Sequence, residues 1–499
     1  MNTIGIDIRF RRYLCLAGIA LGALYGCGGG SSTNNNTNNS SFVAPGTSPF
    51  VNSTLATRDV CQANTHVAGR PRWTVLVYLN AASNLQPFSL LNVAQMASVG
   101  SNADLNIVVQ WKQTATSSFF TGVAVQSTPS FIGTRRYKIA KHSAADINKI
   151  APPNITSNLS IVGDTTPLDA DRLADPPTNT LSDAGNPTAD MGDYHTLTDF
   201  VQWGLSNYPA DHTALVVWDH GSGALNVDNR AVHTKHSITK IRRGLSQDVQ
   251  TGSQIATQEL PLALAGLPKL DALVIDCSLQ GTTEVAYDVR NLARVYIGSE
   301  ESPPGAGYPY HTWLNFLKAS VANPCTSGQT LINATIAQYP TESNVTQSMI
   351  DLTKMNSVAS ALNSFGGVLS DNTVSGVTWI KQARQNSQIF EFFEYKDLYH
   401  FADLIRKTNG IPSNVSQAAA NLQTALTGTN GAILLSSHGS ATDGNGFNEA
   451  FASGLSIFLP GPQTPSSVNN TTGFDPQWNT LGLARVAPNW ATFLQNEQQ

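Results

Sequence analysis

An α/β protein built on a mostly parallel sheet is the fold class this sequence predicts, and three observations predict it. Between residues 72 and 300, apolar β-rich runs alternate with segments of helical spacing. The runs "RWTVLVYLNA", "ALVVWDHGSG" and "ALVIDCS" are continuously hydrophobic rather than alternating, as strands covered on both faces are. Each run also ends in a polar or glycine-rich turn, where open α/β sheets place their ligands.

In order, "RWTVLVYLNA" is a strand and "FSLLNVAQMASV" a helix. "LNIVVQWK" and the more polar "RRYKIAK" are strands. "TLTDFVQWGLSNYP" is a helix with Leu197, Phe200, Val201 and Leu205 on one stripe. The strand ending in Asp219–His220 follows, then the short helix "TQELPLALAG" and the strand ending in Asp276, Cys277 and Ser278. The helix "TTEVAYDVRNLA" and the strand "VYIGSE" complete this part. Beyond about 340, "SMIDLTKMNSVASALNSFGGVL" and "DLYHFADLIRK" read as helices, the latter with Leu398, Phe401, Leu404 and Ile405 as its stripe. "GAILLSSHGS" and "GLSIFLPGP" read as strands. The expected organisation is a first α/β domain over 61–335 and a C-terminal α/β region over 336–499 packed on it.

The N-terminus predicts export. Arg9, Arg11 and Arg12 precede the apolar run "YLCLAGIALGALYG", which has signal-peptide length. It ends at Gly26 before Cys27, a pattern resembling a bacterial lipobox, so 1–26 reads as a lipoprotein signal and Cys27 as the lipidated residue. Residues 27–60 begin with a low-complexity polar stretch, expected to be a flexible tether. The implied location is the cell envelope, with contact to membrane through the lipid. No later segment has the length and apolarity of a membrane span.

A net charge of −5 without a basic patch argues against nucleic acid as a partner. No CxxC pair and no HExxH occurs, so the residues predict no metal site. In an oxidising compartment Cys61 with Cys325 is the least costly disulfide, because it leaves Cys277 free.

Two successive core strands therefore end in "WDHGSG" and "IDCSLQG". A histidine at such an edge can exchange a proton near neutral pH, and Gly221 beside it lets a backbone approach. A thiol or hydroxyl on the next strand could attack a carbonyl. A lone histidine or cysteine is more often a satisfied core residue. Here the two stand at matched strand ends, each beside an acid and a glycine. His438, in "SSHGS", also follows a strand but has no nucleophile beside it.

The stretches "WTVLVYLNAASNLQ", "MGDYHTLTDFVQWGLSNYPADHTALVVWDHGSG", "RRGLSQD", "IDCSLQGTTEVAYDV", "GSEESPPGAGYPY" and "GLSIFLP" occur in the order found in the clostripain-like cysteine peptidases. The sequence resembles that family over roughly 72–460. The resemblance implies a caspase–hemoglobinase fold, protein or peptide substrates, cleavage after Arg or Lys, and His220 as a catalytic partner. It implies Asp276 at the floor of the pocket for the basic side chain, with Glu300 and Glu301 adding charge near its mouth. The family order Asp, Ala, Cys, Leu before Glu-Val-Ala-Tyr puts Ser278 at the nucleophile position without gaps; Cys277 reaches it only with a deletion and an insertion. Both residues stay candidates; the leading reading is an envelope-anchored cysteine endopeptidase, and the alternative is a catalytically inactive peptidase-fold lipoprotein that binds peptides or a protein partner. Calcium is a cofactor the resemblance admits without identifying ligands, and Ala82 and Gln86 stand where relatives carry acids. Relatives cut themselves between the two site strands; here that interval holds Arg230, Lys235, Lys240, Arg242 and Arg243.

Overall fold

The structure is a computed structural model and describes residues 48–114, 132–141, 179–180, 189–225, 244–373, 376–440, 449–461 and 475–497. Cys27, the tether's start and the basic interval 230–243 lie outside the described residues.

A ten-stranded sheet organises the chain. Its centre is parallel: Leu105–Gln113 pairs with Trp73–Asn80, which pairs with His212–Trp218. That strand pairs with Leu270–Asp276, which pairs with Ala293–Gly298. Their side chains are almost all buried, which explains the continuous apolar runs. Antiparallel strands close both sides, Gly133–Lys138 on one and Thr346–Asp351 with Ile433–His438 on the other.

Each face of the sheet carries its own core. On one, the helices Gln86–Val99, Tyr310–Ala319 and Pro324–Gln338 bury Leu90, Met96, Trp313, Leu314 and Leu331. On the other lie Tyr194–Asn207, Met355–Ser370, Leu398–Lys407, Ser413–Thr427 and Pro488–Asn496, burying Phe200, Phe365, Phe401, Leu422 and Trp490. The N-cap of Tyr194–Asn207 is Asp193, whose side chain accepts from the His195 amide.

Two expectations change. The region from 336 contributes Thr346–Asp351 and Ile433–His438 to the same sheet, so sheet and core run across that boundary. Residues 348–351, expected as the start of a helix, are strand; pairing with Ala293–Gly298 and Ile433–His438 outweighs their local pattern, and the helix begins at Met355.

Cys61 and Cys325 form a disulfide across a sequence separation of 264. It fastens the N-terminal segment to the helix Pro324–Gln338. Replacing both cysteines by alanine is expected to cost about 2–5 kcal/mol, read as a lower denaturant midpoint at similar slope. An unmoved midpoint would show that the crosslink contributes nothing.

Candidate active site

The two site strands are direct parallel neighbours, and Trp218 is in register with Asp276. His220 and Ser278 each lie two residues beyond that pair, so equal overrun brings them to one edge. Gly221 makes the approach possible: a Cβ there would lie 2.2 Å from the Ser278 carbonyl oxygen and 2.9 Å from the Cys277 Cβ. Any side chain at 221 would push the histidine loop off the Ser278 loop.

The alternation of side chains separates the two candidate nucleophiles. Cys277 continues the face of Leu273 and Ile275 into one core, whereas Val274 belongs to the other. Its side chain is 2% exposed, and its thiol donates to the Val217 carbonyl at 3.5 Å. Burial pushes this thiol's pKa well up, and the nearby carboxyls of Asp219 and Asp276 push in the same direction. Ser278 is partly exposed just beyond the strand end. Leu279, directly after it, has φ 61°, a left-handed conformation that side chains rarely adopt. This left-handed turn follows Ser278 just beyond the strand end at Asp276.

His220 Nε2 meets the Asn84 side-chain oxygen at 2.5 Å. An amide oxygen only accepts, so Nε2 carries the proton in this contact. No local signal in the sequence marks Asn84, although it lies in the stretch "AASNLQ". Its neighbour Ser83 donates to Asp219 Oδ1 at 3.1 Å, while Asp219 Oδ2 is buried without a partner. Burial raises this carboxyl's pKa well above its ordinary value, which favours a neutral acid beneath the histidine.

Asp276 lies on the opposite side of its strand from Cys277 and is 6% exposed. Its Oδ2 accepts from the Tyr310 hydroxyl at 2.8 Å and the Tyr308 amide at 3.4 Å. Burial lifts its pKa to about 7 against these two hydrogen bonds. Gly307, at φ +62°, comes so close that a Cβ there would lie 2.8 Å from Oδ2.

The expectation that Glu300 and Glu301 charge a pocket mouth is corrected. They are 2% and 1% exposed. Glu300 accepts from the Gly454 amide and Glu301 from the amides of Ser302 and Glu391. The turn after Ala293–Gly298 folds both acids inward against the 391–397 and 453–454 segments. His438 is held by its neighbour's carbonyl at 2.7 Å, on a strand that does not touch the site strands. A cavity of about 530 Å³ lined by Arg406, Lys407, Ser413, Ser416, Gln417 and Ala420 includes none of the site residues. Among the described residues no group of three or more His, Cys, Asp or Glu is placed to hold a metal ion. At the two positions where the resemblance sets acids in relatives, Ala82 supplies no ligand and the Gln86 side-chain oxygen accepts from the Thr114 amide.

A mostly parallel sheet with a histidine and a candidate nucleophile at adjoining strand ends defines a protein of caspase–hemoglobinase-like fold. The chain belongs to the clostripain family, whose model matches residues 77–495. Clostripain of Hathewaya histolytica is 24% identical over 330 residues, an alignment covering 58% of this chain and 61% of that protein, less than two thirds of its length. An inactive zymogen C11 protease from Parabacteroides distasonis superposes with a TM-score of 0.52 at 14% identity, over 84% of this chain and 99% of that one. A secreted C11 cysteine protease from Bacteroides thetaiotaomicron, solved with an irreversible peptide inhibitor, gives a TM-score of 0.50 at 15% identity, over 85% and 99%. These likenesses place the fold.

Proposed function

We propose that this clostripain-family protein binds peptides through an Arg or Lys side chain without turning them over by thiol chemistry. It would do so at the cell envelope, anchored by lipid on Cys27. The observation that carries the reading is the separation of thiol from cleft. Ser278 is partly exposed beyond the strand end, while the Cys277 thiol is buried against the Val217 carbonyl. A thiol attacks as thiolate, and burial beside two carboxyls disfavours that form. A serine hydroxyl does not ionise near neutral pH and needs an adjacent base acting in attack. Asp276 supports the basic preference, since a carboxylate at the cleft floor can pair with a guanidinium. The anchor rests on the sequence of residues 1–27.

The full chain should therefore bind an arginine-containing peptide yet leave it intact, and a thiol-directed arginine chloromethyl ketone should not label it. Wild type and His220→Ala should both remain single chains. Labelling lost on Cys277→Ala would overturn the silent reading in favour of a cysteine peptidase with a displaced nucleophile. Hydrolysis lost on Ser278→Ala would favour a serine nucleophile served by His220, a reading the Asn84–His220 contact supports.

A further inference from the structure

The phenol of Tyr310 has an assignment beyond packing. Its ring is fully buried at the start of the helix Tyr310–Ala319, where phenylalanine would fill the same space. Its hydroxyl reaches Asp276 Oδ2 at 2.8 Å. The Tyr308 amide approaches that same oxygen, and neither donor touches Oδ1. The turn bearing them is fixed from behind: Tyr339 and Gln338 donate to the Gly307 carbonyl at 2.7 and 3.3 Å, and Asn92 donates to the Ala306 carbonyl at 3.0 Å.

We infer that Tyr310 is a positioning residue: its hydroxyl aims the Asp276 carboxylate and, with the Gly307 turn, makes the cleft select a guanidinium or ammonium group. This rests on the reading that the cleft takes a basic side chain. The titratable groups that face Asp276 among the described residues are the phenols of Tyr308, Tyr310 and Tyr339 and the thiol of Cys277, none of them a cation. A buried carboxyl without a resident cation stays protonated unless hydrogen bonds or a ligand cation favour its charge. The Tyr310 hydroxyl supplies the hydrogen bond, and the ligand supplies the cation. A neutral side chain of equal length gives Asp276 no reason to ionise, so the site rejects it.

The test measures binding of N-acetyl-arginine amide and its neutral citrulline counterpart to the full chain between pH 5 and 9. Wild type should prefer arginine, with affinity rising through about pH 7, where Asp276 gives up its proton. Tyr310→Phe should move that midpoint upward by about one pH unit or more, with arginine affinity at pH 9 little changed. Placing 3-fluorotyrosine at 310, a stronger donor in a nearly unchanged shape, should move it downward, and this shift decides the question if the phenylalanine variant does not fold. Tyr308→Phe should leave the midpoint in place, because the Tyr308 hydroxyl serves Gln347. An equal loss of affinity at every pH, or an unmoved midpoint in a chain that still prefers arginine, would overturn the inference. No preference for arginine in wild type would overturn the basic-side-chain reading and this inference with it.

Discussion

The double variant Cys277→Ala/Ser278→Cys is expected to hydrolyse arginyl or lysyl peptide substrates where wild type does not, a gain of several powers of ten in kcat/KM. The size follows from what loss of a nucleophile removes in hydrolases, roughly 10⁴–10⁶ in rate. The geometry says the gain needs no rebuilding. Strand register sets Ser278 level with His220, the left-handed Leu279 turn follows it, and Gly221 lets the two loops close together. A thiol there would be partly exposed, unlike Cys277, so thiolate becomes accessible. Its proton would pass to His220 as the sulfur attacks the scissile carbonyl; the C–N bond would break to leave a thioester, the departing amine taking that proton from His220, and water would hydrolyse the thioester to the acid, returning the thiol. Alanine at 277 removes a competing thiol and leaves only a small void. Adding His220→Ala to the double variant should abolish the gain. A folded but inert double variant would show that the cleft lacks something besides sulfur.

The central strands and the edge at which two of them end side by side were legible because continuous apolar runs and their terminal turns are local signals. The residue order before Glu-Val-Ala-Tyr favoured Ser278 over Cys277 only through the family resemblance; what the sequence did not give is the burial of Cys277 on the face of Leu273 and Ile275. Asn84 and Tyr310 were not legible. Asn84 reaches His220 across a sequence separation of 136 and Tyr310 reaches Asp276 across 34; no local pattern encodes such approaches. Glu300 and Glu301 misled because acids after a strand usually face water, whereas here the 391–397 and 453–454 segments supply amides that hold them inside. Residues 348–351 misled because tertiary pairing overrode the helical pattern leading into Met355.

Heating the protein at a series of pH values is expected to show greatest stability in mild acid and a marked loss between about pH 5 and 8. The groups responsible are buried carboxyls around the Ser278 loop. Glu284, in the helix Thr283–Asp288 that follows it, accepts from the Phe458 amide and Trp478 Nε1, yet burial raises its pKa to about 7. Asp288, in the same helix, accepts from the Gly482 amide and is raised by burial to about 6. Asp276 is raised by burial to about 7. Burial also raises Glu300 and Asp397, whose carboxyls lie against each other in the same interior. A carboxyl with a raised folded pKa binds its proton more tightly in the folded chain. Its contribution is whole below the unfolded pKa near 4 and is lost as pH climbs through 6 to 7. Each of the three with a stated value is worth on the order of 3 kcal/mol at about 1.4 kcal/mol per pH unit, a large share of a typical folding free energy. Below pH 4 the sign reverses. Asp271 is pushed up by burial, but His212, the Thr213 amide and Arg294 outweigh that and hold it low, so its contribution is lost in strong acid. Glu284→Gln should reduce the fall between pH 5 and 8, because the amide stays neutral throughout while keeping an acceptor for Phe458 and Trp478. A melting temperature that rises from pH 5 to 8, or a Glu284→Gln profile parallel to wild type, would show that these carboxyls are ionised in the folded chain.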